Sequence, residues 1–269
     1  MRRAALRSLC WKEWRRTRWT WAAYAALYNL PAVAVLLALS VHGGLQLKAA
    51  RLVPADLPNL MLWTLFLQSL VVVVAGMLVI PIVTLTVSGE ERSGGGFSYL
   101  LDRPVPRWLV LAVSAVYRGA PAVLVAAIAV PIAVASGAFL LTLHGTAETA
   151  SAAWRLIPWY DSLIGRGMAW IALHAGWWFS AAQLVAVFNL RWWVGLVIVT
   201  VGIQLVTPLA GGLTMQWFVP FPLPYGTSVT LDETRFAPLQ PVPMGLLALL
   251  SVVCSAVTLW LFTRMDVEG

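Results

Sequence analysis

Long apolar runs alternate with short polar intervals along the whole chain. Six runs, approximately 20–41, 60–87, 109–142, 167–189, 192–213 and 244–263, are almost free of charge. Each reaches the roughly 20 residues that a helix needs to cross a hydrocarbon layer about 30 Å thick. Lipid offers no partner to an open backbone N–H or C=O, so all six are predicted as α-helices. The third run has room for a span plus an extra turn or two, or for a kink, and Arg118, Gly119 and Pro121 mark where the change would fall. Only Asn189-Leu190-Arg191 separates the fourth run from the fifth, which predicts a tight hairpin. The expected fold is an all-α integral membrane protein with six transmembrane helices in one domain over residues 1–269.

Two further intervals predict helices that lie on the membrane surface. Residues 5–18, ALRSLCWKEWRRTR, set Leu6, Leu9, Cys10 and Trp14 near one helical face, with Arg7, Lys12, Arg15 and Arg16 mostly around the rest. A basic amphipathic helix of this kind settles in the headgroup plane. The aromatic stretch 152–163, AAWRLIPWYDSL, suits the outer surface in the same way. Residues 214–243 carry prolines at 220, 222, 224, 238, 241 and 243. Proline removes a backbone donor and clashes inside a helix, so an external re-entrant piece or loop is expected there.

Composition agrees with a lipid solvent. The chain is 60% hydrophobic and 11% charged, against about 25% charged residues in soluble domains. The net charge of +7 does not indicate nucleic acid, because the cations gather at one end. Arg2, Arg3, Arg7, Lys12, Arg15, Arg16 and Arg18 all precede the first run. That run continues for 29 residues without a charge and ends in no small-residue cleavage pattern, so a retained span is expected and not a cleaved signal peptide. Cytoplasmic loops carry the excess of Lys and Arg. With the N-terminus inside, twelve cations fall in cytoplasmic segments and five outside, with Arg118 unassigned. An even number of spans then places both termini in the cytosol. The fifteen tryptophans, Trp177-Trp178 and Trp192-Trp193 among them, suit aromatic belts at the membrane boundaries.

Catalytic chemistry is scarce. Neither lysine, Lys12 or Lys48, follows a glycine, so no phosphate-cradling Gly-Lys-Ser/Thr loop exists. No HExxH, CxxC or GxSxG occurs, and Cys10 and Cys254 give neither a disulfide framework nor metal-ligand spacing. No metal site is expected. His174 falls in the fourth run, where a buried, hydrogen-bonded ring is expected. The run interiors otherwise hold Gln68, Gln183 and Gln204. These amides and His174 are the candidates for a substrate path; hydrogen bonding between helices is the other role open to the glutamines. Ionisable groups inside the membrane mark ion and proton routes, and Arg118 alone could enter it. If a substrate moves, the driving force is expected from outside the chain.

One interval stands apart. SGEERSGGGFSYLLDRPVPR, residues 88–107, concentrates charges, glycines and prolines around the short apolar piece Phe97–Leu101. The glycines permit a sharp reversal out of the second run. Pro104 and Pro106 stop the short piece and launch the third run.

Glu91-Arg92, Gly95, Leu100-Leu101, Pro104-Val105 and Arg107-Trp108 resemble, without a gap, a motif of the ABC-2 type transporter permeases, the membrane subunits of type-2 exporters. Ser93, Gly96 and the absence of Gly-Lys from residues 111–118 depart from that motif. The resemblance implies that 88–107 is a coupling helix docking into a groove on a separate ATPase subunit. Its contacts would come from Glu90, Glu91, Arg92, Gly95, Phe97, Tyr99, Leu100, Leu101, Pro104 and Arg107. It also implies that 5–18 is the elbow helix and that 214–243 holds short re-entrant helices. Two copies of the ATPase would bind ATP and magnesium, so this chain is expected to hold no cofactor and to be no enzyme.

The expected assembly is a dimer with a second copy or a paralogue, in contact with membrane lipid in a bacterial inner membrane. Its expected work is export of a hydrophobic or amphipathic drug, lipid or peptide. A permease serving maturation of a periplasmic partner, by delivering metal, sulfur or lipid, is the alternative. A membrane scaffold or enzyme without an ATPase is the alternative from another class.

Overall fold

The computed structural model describes residues 2–38, 78–86, 106–144, 147–188, 190–211 and 241–264. These form six helices and no strand: α1 Arg2–Ala38, α2 78–86, α3 Arg107–His144, α4 Ala147–Val187, α5 Trp192–Gly211 and α6 Pro241–Arg264. Local chemistry sets several ends. The carbonyl of Pro106 accepts the N–H groups of Leu109 at 2.9 Å and Val110 at 3.3 Å, so α3 begins directly after that proline. Pro241 opens α6, where its missing N–H would have had no helical partner.

Helix α4 is the centre of the bundle. It packs on α3, α5 and α6, and α3 packs in turn on α1. His174, Ala175, Trp177, Trp178, Phe179 and Ser180 are all buried, which happens only to a helix covered on every side. Small residues let the backbones approach: Ala122, Ala126 and Ala129 on α3, with Ala175 and Ala182 on α4, are buried. Hydroxyls on the helices turn back on their own helices. Thr17, Thr84, Thr142, Ser180, Ser251 and Thr258 each donate to the carbonyl four residues earlier at 2.7–2.9 Å, the local bond such side chains make within a helix.

Contacts between distant residues orient the helices. Leu9 of α1 clusters with Val110 and Val113 of α3, and Glu13 meets Arg118, so α1 and α3 run parallel. Gly119 faces Phe179 while Thr142 accepts a hydrogen bond from the Trp154 indole, so α3 and α4 are antiparallel. Arg107 at the start of α3 reaches the Thr263 carbonyl near the end of α6. Leu85 of α2 lies against Gly195 at the start of α5, beside Val185 at the end of α4. The starts of α1, α3 and α5 and the ends of α4 and α6 therefore share one end of the bundle.

Two stretches, Arg107–Ala129 and Met244–Arg264, are long and apolar enough to cross a membrane. Only 17% of the second is buried inside the protein. An apolar helix covered that little, with Leu249, Val252, Val253, Val257 and Trp260 exposed, has its surface suited to lipid and not to water.

Two expectations change. Residues 5–18 do not form a separate helix; they and residues 19–38 make one uninterrupted helix. Nothing between Arg2 and Leu30 breaks a helix, and a single buried stripe of Leu9, Glu13, Thr17, Tyr24 and Tyr28 carries across the supposed joint. Leu6 and Trp14 are 36% and 43% exposed, outside that buried stripe. Residues 152–163 likewise belong to α4 and are not an independent surface piece. The third run is a single helix that continues through Pro121 and Pro131. Neighbouring helices and local adjustment hold such prolines in membrane helices. Residues 241–243 of the Pro-rich interval belong to α6, and 214–240 lie outside the described residues.

Candidate functional site

The residues singled out in 88–107 fall mainly outside the described residues: Glu90, Glu91, Arg92, Gly95, Phe97, Tyr99, Leu100, Leu101 and Pro104. Arg107 is described, as the first residue of α3. Its guanidinium is half-buried and reaches the Thr263 carbonyl at 3.5 Å. At the facing end of α6, Thr263 donates back to the Trp260 carbonyl at 2.9 Å, and the Arg264 guanidinium lies 4.7 Å from the Trp260 ring centroid. The start of α3 is thus held to the end of α6 by polar contacts, and one turn further in, to α1 by Leu9 against Val110.

Two turns deeper stands the feature of greatest electrostatic consequence. Glu13 of α1 and Arg118 of α3 form an ion pair at 3.5 Å, with side chains 1% and 9% exposed. The separation is longer than the roughly 2.7–2.9 Å of a tight charge-assisted bond. Thr17 donates to the Glu13 carbonyl at 2.8 Å, which keeps that hydroxyl on its own helix. Beside the pair, Gly119 lies against the Phe179 ring: a Cβ there would fall 2.7 Å from its nearest ring carbon. Glycine is therefore what lets α3 and α4 close at this level, so that α1, α3 and α4 meet around a buried charge pair.

Sequence reasoning singled out Arg118 and missed its partner. One signal was available: Glu13 is the sole acid before Asp56. It stands between Leu9 and Thr17 at four-residue spacing, on the face that the structure buries.

Of the candidates for a substrate path, His174 and Gln183 are the ones whose side chains are described. Gln68 lies outside the described residues, and Gln204 lies on α5. His174 is buried, 3% exposed, with its ring edge-on to Trp178 at 5.7 Å between centroids. Gln183 is half-buried on the same helix. Nine residues apart, at 3.6 per turn, the two side chains leave α4 on opposite sides about 13 Å apart along its axis. On α4 also, Ser180 accepts a hydrogen bond from Ser255 of α6 at 3.2 Å, a polar tie between the two helices. Among the described residues no group of three or more His, Cys, Asp or Glu could hold a metal ion, and Cys10 and Cys254 are free and half-buried.

Among the described residues the architecture is all-helical, with two helices long and apolar enough, by length and composition, to cross a membrane. Set against protein-family models, curated proteins and solved structures, the chain matches none.

Proposed function

We propose that this chain is the membrane-spanning permease subunit of an ABC-2 type transporter. Segment 88–107 docks on a separate ATPase, and two ATPase copies with bound ATP and magnesium drive a dimer of permeases. The observation that carries this is the gap-free motif from Glu91-Arg92 to Arg107-Trp108. Geometry supports it: Leu85, just before the motif, and Arg107, near its end, sit at the bundle end shared by the start of α1 and the end of α6. The basic leader supports assigning that end to the cytoplasm; on this reading both termini and the motif face the ATPase at a bacterial inner membrane.

Force applied at 88–107 would enter α3 at Arg107. There the contacts to Thr263, Leu9 and Glu13 spread it to α6 and α1. The cargo is a hydrophobic or amphipathic compound moving outward, since the six apolar runs carry no charge except Arg118, which Glu13 meets. Replacing Glu91 or Leu100 with alanine is expected to weaken co-purification of the ATPase about 5- to 10-fold, with a parallel fall in its membrane-stimulated turnover. Unchanged binding and turnover in both variants would sink the assignment.

A further inference from the structure

The outer side of α1 carries an ordered pattern that the transport scheme does not use. Trp14, Arg15, Arg18 and Trp19 are all exposed, the tryptophans by 43% and 71%. Trp14 with Arg18 and Arg15 with Trp19 are four apart, so each pair stacks one turn above the other on the helix surface. The result is a square of two indoles and two guanidiniums with like groups on the diagonals. The Arg18 guanidinium lies 5.6 Å from the Trp19 ring centroid, and Trp14 meets Trp21 edge-on at 6.3 Å. All four point away from the stripe of Leu9, Glu13 and Thr17 that packs inward.

Charge and position identify what this square meets. Glu13, the sole acid before Asp56, is turned inward to Arg118, so no acid of α1 offsets Arg15 and Arg18. Residues 19–47 carry no charge, so Trp19 stands where the polar leader gives way to the hydrocarbon-suited run. Indoles concentrate at the headgroup level, and cations beside them attract anionic lipids of the cytoplasmic leaflet. A free anion would account for the arginines but not for two exposed indoles.

We propose that Trp14, Arg15, Arg18 and Trp19 form a binding site for the headgroup of an anionic phospholipid. The site rests on the start of α1 lying at a leaflet surface, as proposed above, but not on the docking of an ATPase. Both guanidiniums would address the lipid's phosphate and headgroup charge, with the indoles flanking the glycerol region.

The test is native mass spectrometry of the full chain in detergent with equimolar phosphatidylglycerol and phosphatidylcholine. The wild type is expected to retain phosphatidylglycerol preferentially. Arg15→Gln/Arg18→Gln should lower that affinity about 10- to 30-fold, and Arg15→Lys/Arg18→Lys should keep most of it. Arg7→Gln, about 18 Å along the helix from Trp19, should leave it unchanged. Equal retention of the two lipids by the wild type, or undiminished preference in the glutamine pair, overturns the site. Displacement of the lipid by millimolar inorganic phosphate alone would make it an anion site and overturn the lipid assignment. A glutamine pair that keeps the lipid but loses a co-purifying acidic protein would assign the square to that protein instead. If the lipid preference fails while the ATPase still co-purifies with the wild type, the proposed function stands without this site.

Discussion

Glu13→Ala is expected to lower stability by about 3–5 kcal/mol, because it leaves the Arg118 guanidinium charged, buried and without its counter-ion. For a chain of this size the thermal midpoint in detergent should fall by on the order of 10 °C. The loss reflects the cost of a stranded charge more than the net worth of the pair. Taking two charges out of water costs as much as their attraction returns, so replacing both by apolar groups is often neutral or stabilising. Glu13→Leu/Arg118→Met should therefore recover most of what Glu13→Ala loses. If each single variant costs little and the double variant costs their sum, the pair is not coupled, and the junction of α1 with α3 rests on its apolar contacts, Leu9 against Val110 and Val113 among them. A pair that contributes little net stability yet sits between two helices fits a part that sets their register. In the proposed mechanism that register carries motion from the start of α3 to α1.

Gly119→Val should have the second largest effect, about 1–3 kcal/mol of destabilisation. Its Cβ would lie 2.7 Å and 2.9 Å from two carbons of the Phe179 ring, and that ring is itself buried at 7% exposure. An exposed ring would swing aside, but this one has α4's own packing behind it, so α3 and α4 must separate. Pairing the substitution with Phe179→Ala removes the obstacle. The combined loss should then fall short of the sum of the single losses by about 1 kcal/mol or more, measured by thermal unfolding of the four proteins. Strict additivity would mean that the two helices do not meet at Gly119.

Where the chain's own pattern sufficed, the helices were legible. The runs 109–142, 192–213 and 244–263 correspond to α3, α5 and α6 within two or three residues at each end. Length without charge is a local property, and Pro106 and Pro241 mark two of the starts. What failed was any decision that depended on a partner far along the chain. Leu6, Leu9, Cys10 and Trp14 look like the apolar side of an amphipathic helix when hydrophobicity alone is weighed. The face that packs is Leu9, Glu13 and Thr17, and its carboxylate is buried because Arg118 stands 105 residues away to receive it. Residues 152–163 continue into α4, where Trp154 donates to Thr142 of the neighbouring helix at 2.9 Å, a partner that periodicity does not reveal.

The candidate site divides in the same way. Arg107 was visible as the cation just before the third run and Arg118 as the cation inside it, and the structure supplies what they touch: Thr263 for one, Glu13 for the other. His174 and Gln183, read as polar residues in one apolar run, leave α4 on opposite sides. A shared run in sequence is thus no evidence for a shared path.

Docking of segment 88–107 on an ATPase is tested most directly by cross-linking in native membranes. Leu100→Cys would be introduced in a chain whose Cys10 and Cys254 are replaced by serine, and a short bifunctional thiol–amine reagent applied with and without ATP. The expected result is one adduct with an ATP-hydrolysing subunit, with a yield that changes when ATP is added. No adduct with any ATPase, together with labelling of residue 100 by a membrane-impermeant maleimide from outside the cell, would contradict both the docking and the side of the membrane assigned to it.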